Sequence, residues 1–121
     1  MKVSSRQVMD RTGMAPTQLL RLRDVLGIDV GGTGTRPKYG TRTADVFVTL
    51  WTLMQNLHEI NKGAASATRP HGLTRVAYRQ IGKQLLDSPV AVLESGVVEI
   101  RVRLIETDWS VDHATRSSGT R

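Results

Sequence analysis

The chain has 121 residues, room for one domain with a modest core or a small domain plus an appendage. It holds no cysteine, which excludes disulfides, zinc–thiolate sites and thiol nucleophiles, and no apolar run approaches the length of a transmembrane helix. The net charge is +6 and the pI near 10.5, and the surplus is at the front: residues 1–83 carry thirteen Lys or Arg against five Asp or Glu, residues 84–121 four against six. That asymmetry points to a polyanionic partner for the front of the chain. Arg outnumbers Lys thirteen to four, which favours forked contacts to phosphate and guanine. Met1 to Val8 has no signal-peptide core, so a cytoplasmic, nucleoid-associated protein is expected, with no membrane partner.

The first predicted helix starts at Ser4. Ser4 and Gln7 fit a capping box, in which each side chain satisfies a backbone N–H of the other residue. Val3 and Val8 suit a hydrophobic staple across that start, and Gly13 suits a left-handed helix end. Met14-Ala15 make the turn. Pro16 suits the first position of a second helix running to about Leu26, because its missing N–H has no partner there anyway. Leu19, Leu22 and Leu26 form its apolar stripe, with Leu20 and Val25 beside it. Thr17, Gln18, Arg21 and Asp24 fall opposite, and the first three are side chains able to read base edges or hold phosphates.

Ile28-Asp29-Val30, a tip of Gly31-Gly32-Thr33-Gly34, and Thr35 to Tyr39 read as a β-hairpin. Arg36 and Lys38 alternate with Pro37 and Tyr39, so both cations project from one side. A thin ribbon with paired cations suits a phosphate backbone or a minor groove.

Ser4-Ser5-Arg6-Gln7-Val8, Gly13, Leu19-Leu20-Arg21 and Gly34-Thr35-Arg36-Pro37-Lys38-Tyr39 together resemble the N-terminal domain of MerR-type winged helix-turn-helix proteins and their small relatives among phage excisionases and actinobacterial regulators. The resemblance covers roughly the first half of the chain. It implies a second helix in the major groove, with the wing arginine and tyrosine at the backbone, and so implicates Thr17, Gln18, Arg21, Arg36 and Tyr39. Arg6, Thr35, Lys38 and Arg42 complete the candidate DNA-binding set. A competing resemblance lies in Gly27 to Arg36, which looks like the first phosphate loop of sugar kinases and actin-like ATPases. Helical signals on both sides, and the lack of a second phosphate loop downstream, favour a wing tip.

A third helix is predicted from Thr41 or Thr43 to about Ile60, with Val46, Leu50, Leu53, Leu57 and Ile60 on its core face, Trp51 at the rim and Asp45 near its positive end. Residues 61–72 read as a flexible connection. Leu73, Val76, Ala77, Ile81 and Leu85 mark a fourth amphipathic helix, with Arg75, Arg79 and Lys83 stacked on its other face. Val90–Leu93 and Val97–Ile105 read as a hairpin around Glu94-Ser95-Gly96. Its apolar face needs cover from the preceding helix or from a second copy of the chain. Trp109 suits a plug at the end of this unit, and residues 110–121 read as a disordered tail.

The expected fold is therefore α+β: a winged helix-turn-helix over residues 1–60, a linker over 61–72, and a helix plus hairpin over 73–109 that pairs two copies into a homodimer. The expected function is a sequence-specific double-stranded DNA-binding transcriptional regulator, with an excisionase or DNA-packaging recognition subunit as the alternative. His58 stands without triad or metal partners, and no paired carboxylates occur at a usable spacing. No catalytic residue, cofactor or metal site is expected.

Overall fold

A computed structural model of the chain describes residues 2–28, 38–63, 75–95 and 98–110. The protein is α+β. Among the described residues, β1 (Lys2–Ser4), α1 (Ser5–Thr12), α2 (Pro16–Leu26), β2 (Lys38–Gly40) and α3 (Thr41–Gly63) are followed by α4 (Arg75–Leu85), β3 (Val90–Ser95) and β4 (Val98–Arg103). The strands make two separate two-stranded antiparallel sheets, β1 with β2 and β3 with β4.

The start of α1 follows the capping pattern in the sequence. Ser4 Oγ accepts from the Gln7 N–H at 3.1 Å, and Gln7 Oε1 accepts from the Ser4 N–H at 2.9 Å. Both halves of the box are present, while Val3 and Val8 are buried. Gly13 ends the helix at φ 80°, a conformation that costs a residue without a Cβ little, and its N–H bonds Met9 O. Thr12 Oγ1 braces the turn, donating to Val8 O and accepting from the Met14 N–H. Pro16 opens α2, and Gln18 Oε1 reaches back to the Ala15 N–H at 2.7 Å.

The strand containing Lys38 and Tyr39 differs from expectation. It pairs with the start of the chain, in the register Lys2↔Gly40, Val3↔Tyr39 and Ser4↔Lys38. The sequence reading paired it with Ile28–Val30, and residues 29–37 lie outside the described residues. Burial explains the observed pairing. Val3 and Tyr39 are cross-strand neighbours on one face, and the Tyr39 ring meets Phe47 of α3 edge-on, with centroids 5.0 Å apart.

Helix α3 extends to Gly63, so the first three residues of the expected linker are helical. Its first half is not amphipathic. Every residue from Ala44 to Leu50 is buried, as in a helix enclosed by neighbours on all sides. Trp51 is half-buried against the same core.

In α4 the buried stripe is Ile81, Gly82 and Leu85, with Tyr78 packed beside it. Val76 departs from the expected stripe and is 62% exposed, because it lies two residues, or 200° of helix, from Tyr78. Gly82 has a packing role. A Cβ there would collide with Leu26 Cδ2 and stand 3.2 Å from Leu50 Cδ1, so the bare backbone lets α2 and α3 approach α4 closely.

The hairpin packs within the chain. Ala91, Val102 and Leu104 are buried in the same core as Ile81 and Leu85. Gln84 bonds both backbone groups of Val92, its Oε1 accepting from the N–H at 2.9 Å and its Nε2 donating to the carbonyl at 3.0 Å. After β4 the chain leaves the ladder two residues earlier than the alternation suggests. Leu104 N–H goes to Pro89 O, and Ile105 N–H goes to Thr49 Oγ1 on α3 at 2.8 Å. Trp109 then reaches the front half of the molecule, where Arg11 of α1 lies 5.7 Å from its ring centroid. One continuous core thus joins the residues assigned from sequence to two units, and of the two covers expected for the hairpin's apolar face it is the preceding helix, α4, that packs there. No described helix is long and apolar enough to cross a membrane.

Gly82→Ala tests the close approach. Overpacking of roughly 1–3 kcal/mol is offset by about 1 kcal/mol of helix propensity. The expected outcome is a net loss of up to about 2 kcal/mol, read from the urea midpoint, although Ala favours helix at any unconstrained position.

Candidate nucleic-acid interface

The roll of α2 is set by Leu19, Leu22 and Leu26, all buried, so its opposite face is turned out. That face carries Thr17, Leu20, Arg21 and Asp24, all exposed. Gln18 is half-buried at its rim. With Oε1 engaged by the Ala15 N–H, Gln18 has its Nε2 donors left to offer an acceptor. On α1, Arg6 is exposed, with its Nε 3.9 Å from Asp10, a loose i,i+4 pair that leaves the guanidinium in solvent. Lys38 is exposed on β2. Thr35 and Arg36 lie outside the described residues.

Two members of the expected set are placed elsewhere. Tyr39 is 3% exposed; its ring is in the core against Phe47, and its hydroxyl lies 3.1 Å from Ser5 Oγ. Alternation along β2 turns Tyr39 inward and Lys38 outward, so the tyrosine supports the strand pair and only the lysine faces solvent. Arg42 is half-buried, and its Nε donates to Leu85 O at 2.7 Å. It caps a carbonyl at the C-terminal end of α4, where a cation also meets the negative end of the helix dipole. Arg42 therefore ties α3 to α4.

Leu20 was not among the residues expected to face a partner, yet it is 54% exposed beside Thr17 and Asp24 on the outward face. Its place was legible: it stands four residues from both Pro16 and Asp24, on the opposite side from the leucine stripe. Arg75 of α4 also reaches this face and pairs with Asp24. A contact across 51 residues has no local signal.

A second polar site lies where the C-terminal segment crosses α3. An open cleft of about 440 Å³ is lined by Thr41, Arg42, Asp45, Glu106, Thr107 and Trp109, among others. Asp45 is 7% exposed, and its Oδ1 accepts from Trp109 Nε1 at 2.7 Å and from the Thr107 N–H at 3.1 Å. Both bonds hold residues 104–110 to α3, so Asp45 acts as a clamp more than as a helix-end charge. Burial raises its pKa above the ordinary carboxylate value and outweighs the two hydrogen bonds, which lower it; nearby Glu106 also raises it and Arg42 lowers it.

The chain matches no protein-family model, no curated protein and no solved structure.

The raised pKa sets a sign for stability. The folded state holds the Asp45 proton more tightly than the unfolded chain does. Its stabilising contribution is therefore complete below the unfolded pKa and is lost as pH rises through the folded value. Asp45→Asn keeps an acceptor for both donors without the desolvated charge, and should flatten this component in denaturant titrations run upward from the ordinary carboxylate pKa of about 4. Asp45→Ala leaves the Trp109 and Thr107 donors without their acceptor and should cost about 2–3 kcal/mol, with the larger loss at the acid end of the titration.

Proposed function

We propose that the protein binds double-stranded DNA in a sequence-specific manner and acts as a transcriptional regulator. In this reading α1 and α2 form a helix-turn-helix, and α2 enters the major groove. The observation that carries it is the division of α2. Its leucine stripe is locked in the core, while Thr17, Leu20 and Arg21 stand exposed together, with the Gln18 amide at their edge. These are hydrogen-bonding and apolar groups of the kind that distinguish base pairs in the major groove, Leu20 suiting a thymine methyl. The cationic surplus of residues 1–83 supports the same reading, since phosphate contacts supply most of the affinity for a duplex.

Lys38 and Arg6 are exposed cations that hold phosphates in this reading. Tyr39 and Arg42 have structural roles. A homodimer in this reading pairs through β4, because the hairpin's apolar face is covered and Gln84 occupies the outer edge of β3. A palindromic footprint corresponds to a regulator; a run of direct repeats corresponds to an excisionase-like or packaging protein.

Selection of bound fragments from random duplex DNA should return a consensus, with affinity falling steeply as salt rises. Arg21→Ala should relax preference at one position and cost roughly 1–3 kcal/mol. Arg36→Ala should weaken all sequences alike and reduce the salt slope by about one unit. A purified chain indifferent to every duplex at low ionic strength defeats the reading.

A further inference from the structure

Asp24 presents a difficulty for any polyanion approaching α2. In helical register it lies between Leu20 and Thr17 on the outward face, and a carboxylate there would repel phosphate. The structure answers this with a side chain from another element. Arg75, the first residue of α4, extends across and pairs its Nη2 with Asp24 Oδ2, while both side chains remain largely solvent-exposed at 63% and 70%. One end of the guanidinium fork is held by the carboxylate, and its other donors have room for a second acceptor.

One turn further along α4, Arg79 is also exposed, and its Nη2 lies 3.1 Å from where a Cβ on Gly27 would stand. This places its guanidinium over the C-terminal end of α2, where the helix dipole favours a cation. The two arginines are four residues apart on α4, about 6 Å of helix rise. They flank the last turn of α2 on the side where Gly82 allows the helices to touch.

The geometry points to a second cationic element in the DNA interface. Arg75 and Arg79 of α4 grip the duplex phosphates beside the groove that α2 occupies, and Asp24 is the positioning residue that holds Arg75 over the α2 face. This rests on the proposed DNA binding and extends it: the contact surface includes a helix from the second half of the chain, alongside the helix pair. It also gives the Arg75–Asp24 pair a purpose that stability does not supply, since an exposed ion pair contributes little to folding.

The test uses the full-length chain and the duplex returned by selection, with affinity measured by fluorescence anisotropy from low to moderate salt. Arg75→Gln and Arg79→Gln are each expected to lower affinity several-fold on all sequences and to reduce the salt slope by about one unit, with thermal midpoints like wild type. Arg116→Gln, which removes one positive charge from the sequence after Ser110, is expected to leave the slope unchanged. In an Asp24→Asn background, Arg75→Gln should still lower the slope. If Asp24→Asn instead restores Arg75→Gln to wild-type affinity and slope, the arginine only neutralises the carboxylate and the inference is overturned. If both α4 variants bind like wild type while Arg21→Ala binds weakly, the α4 contact is wrong and the reading of α2 stands. If wild type binds no duplex, the functional reading itself has failed, and the inference goes with it.

Discussion

The architecture depends on the burial of one short run, Ala44 to Leu50, around the whole circumference of α3. A helix enclosed on all sides needs neighbours in every direction, and the rest of the chain supplies them. The β1–β2 ribbon lays Tyr39 on Phe47, α1 and α2 bring Val8 and Leu22, α4 brings Ile81 and Leu85, and the segment after β4 brings Leu104 and Trp109. Two polar residues sit within this run, Asp45 and Thr49. Their side chains are the points where the returning segment is hydrogen-bonded to α3, at Ile105, Thr107 and Trp109. The polar interruptions of an otherwise apolar stretch thus determine where the C-terminal segment docks.

The parts of the fold that were legible in the sequence are those fixed by neighbours in sequence. The Ser4–Gln7 box, the Gly13 terminus, Pro16 at the head of α2 and the leucine stripe all act within one or two helical turns, and the structure has them as read. The parts that were not legible depend on partners far along the chain. Nothing near Tyr39 indicates that it pairs with Val3, because a three-residue strand has too little pattern to choose its neighbour. Gly82 reads locally as a weakness in a helix; only the approach of Leu26 shows what the missing side chain permits. The same divide runs through the candidate interface. Thr17 and Arg21 follow from helical spacing alone. Tyr39 and Arg42 carry interface-like chemistry in residues that the core and a helix end require.

The charge distribution takes on a different meaning once the chain is folded. In sequence, the cations of α4 belong to a region beyond a linker. In space, Arg75 and Arg79 border α2, and Arg11 lies over Trp109. Arginine suits these positions because a planar fork can hold one partner and still present donors to another, whereas a lysine offers a single strongly hydrated point.

Gln84 has a consequence for how the protein behaves at high concentration. A two-stranded sheet exposes the backbone of its outer strands, and such rims recruit strands from other molecules into fibrous stacks. By taking both the N–H and the carbonyl of Val92, the carboxamide does what a third strand would do at that point, without adding one. With Ser88 Oγ holding both backbone groups of Val90 in the same way, this border of the sheet offers a further strand fewer open groups.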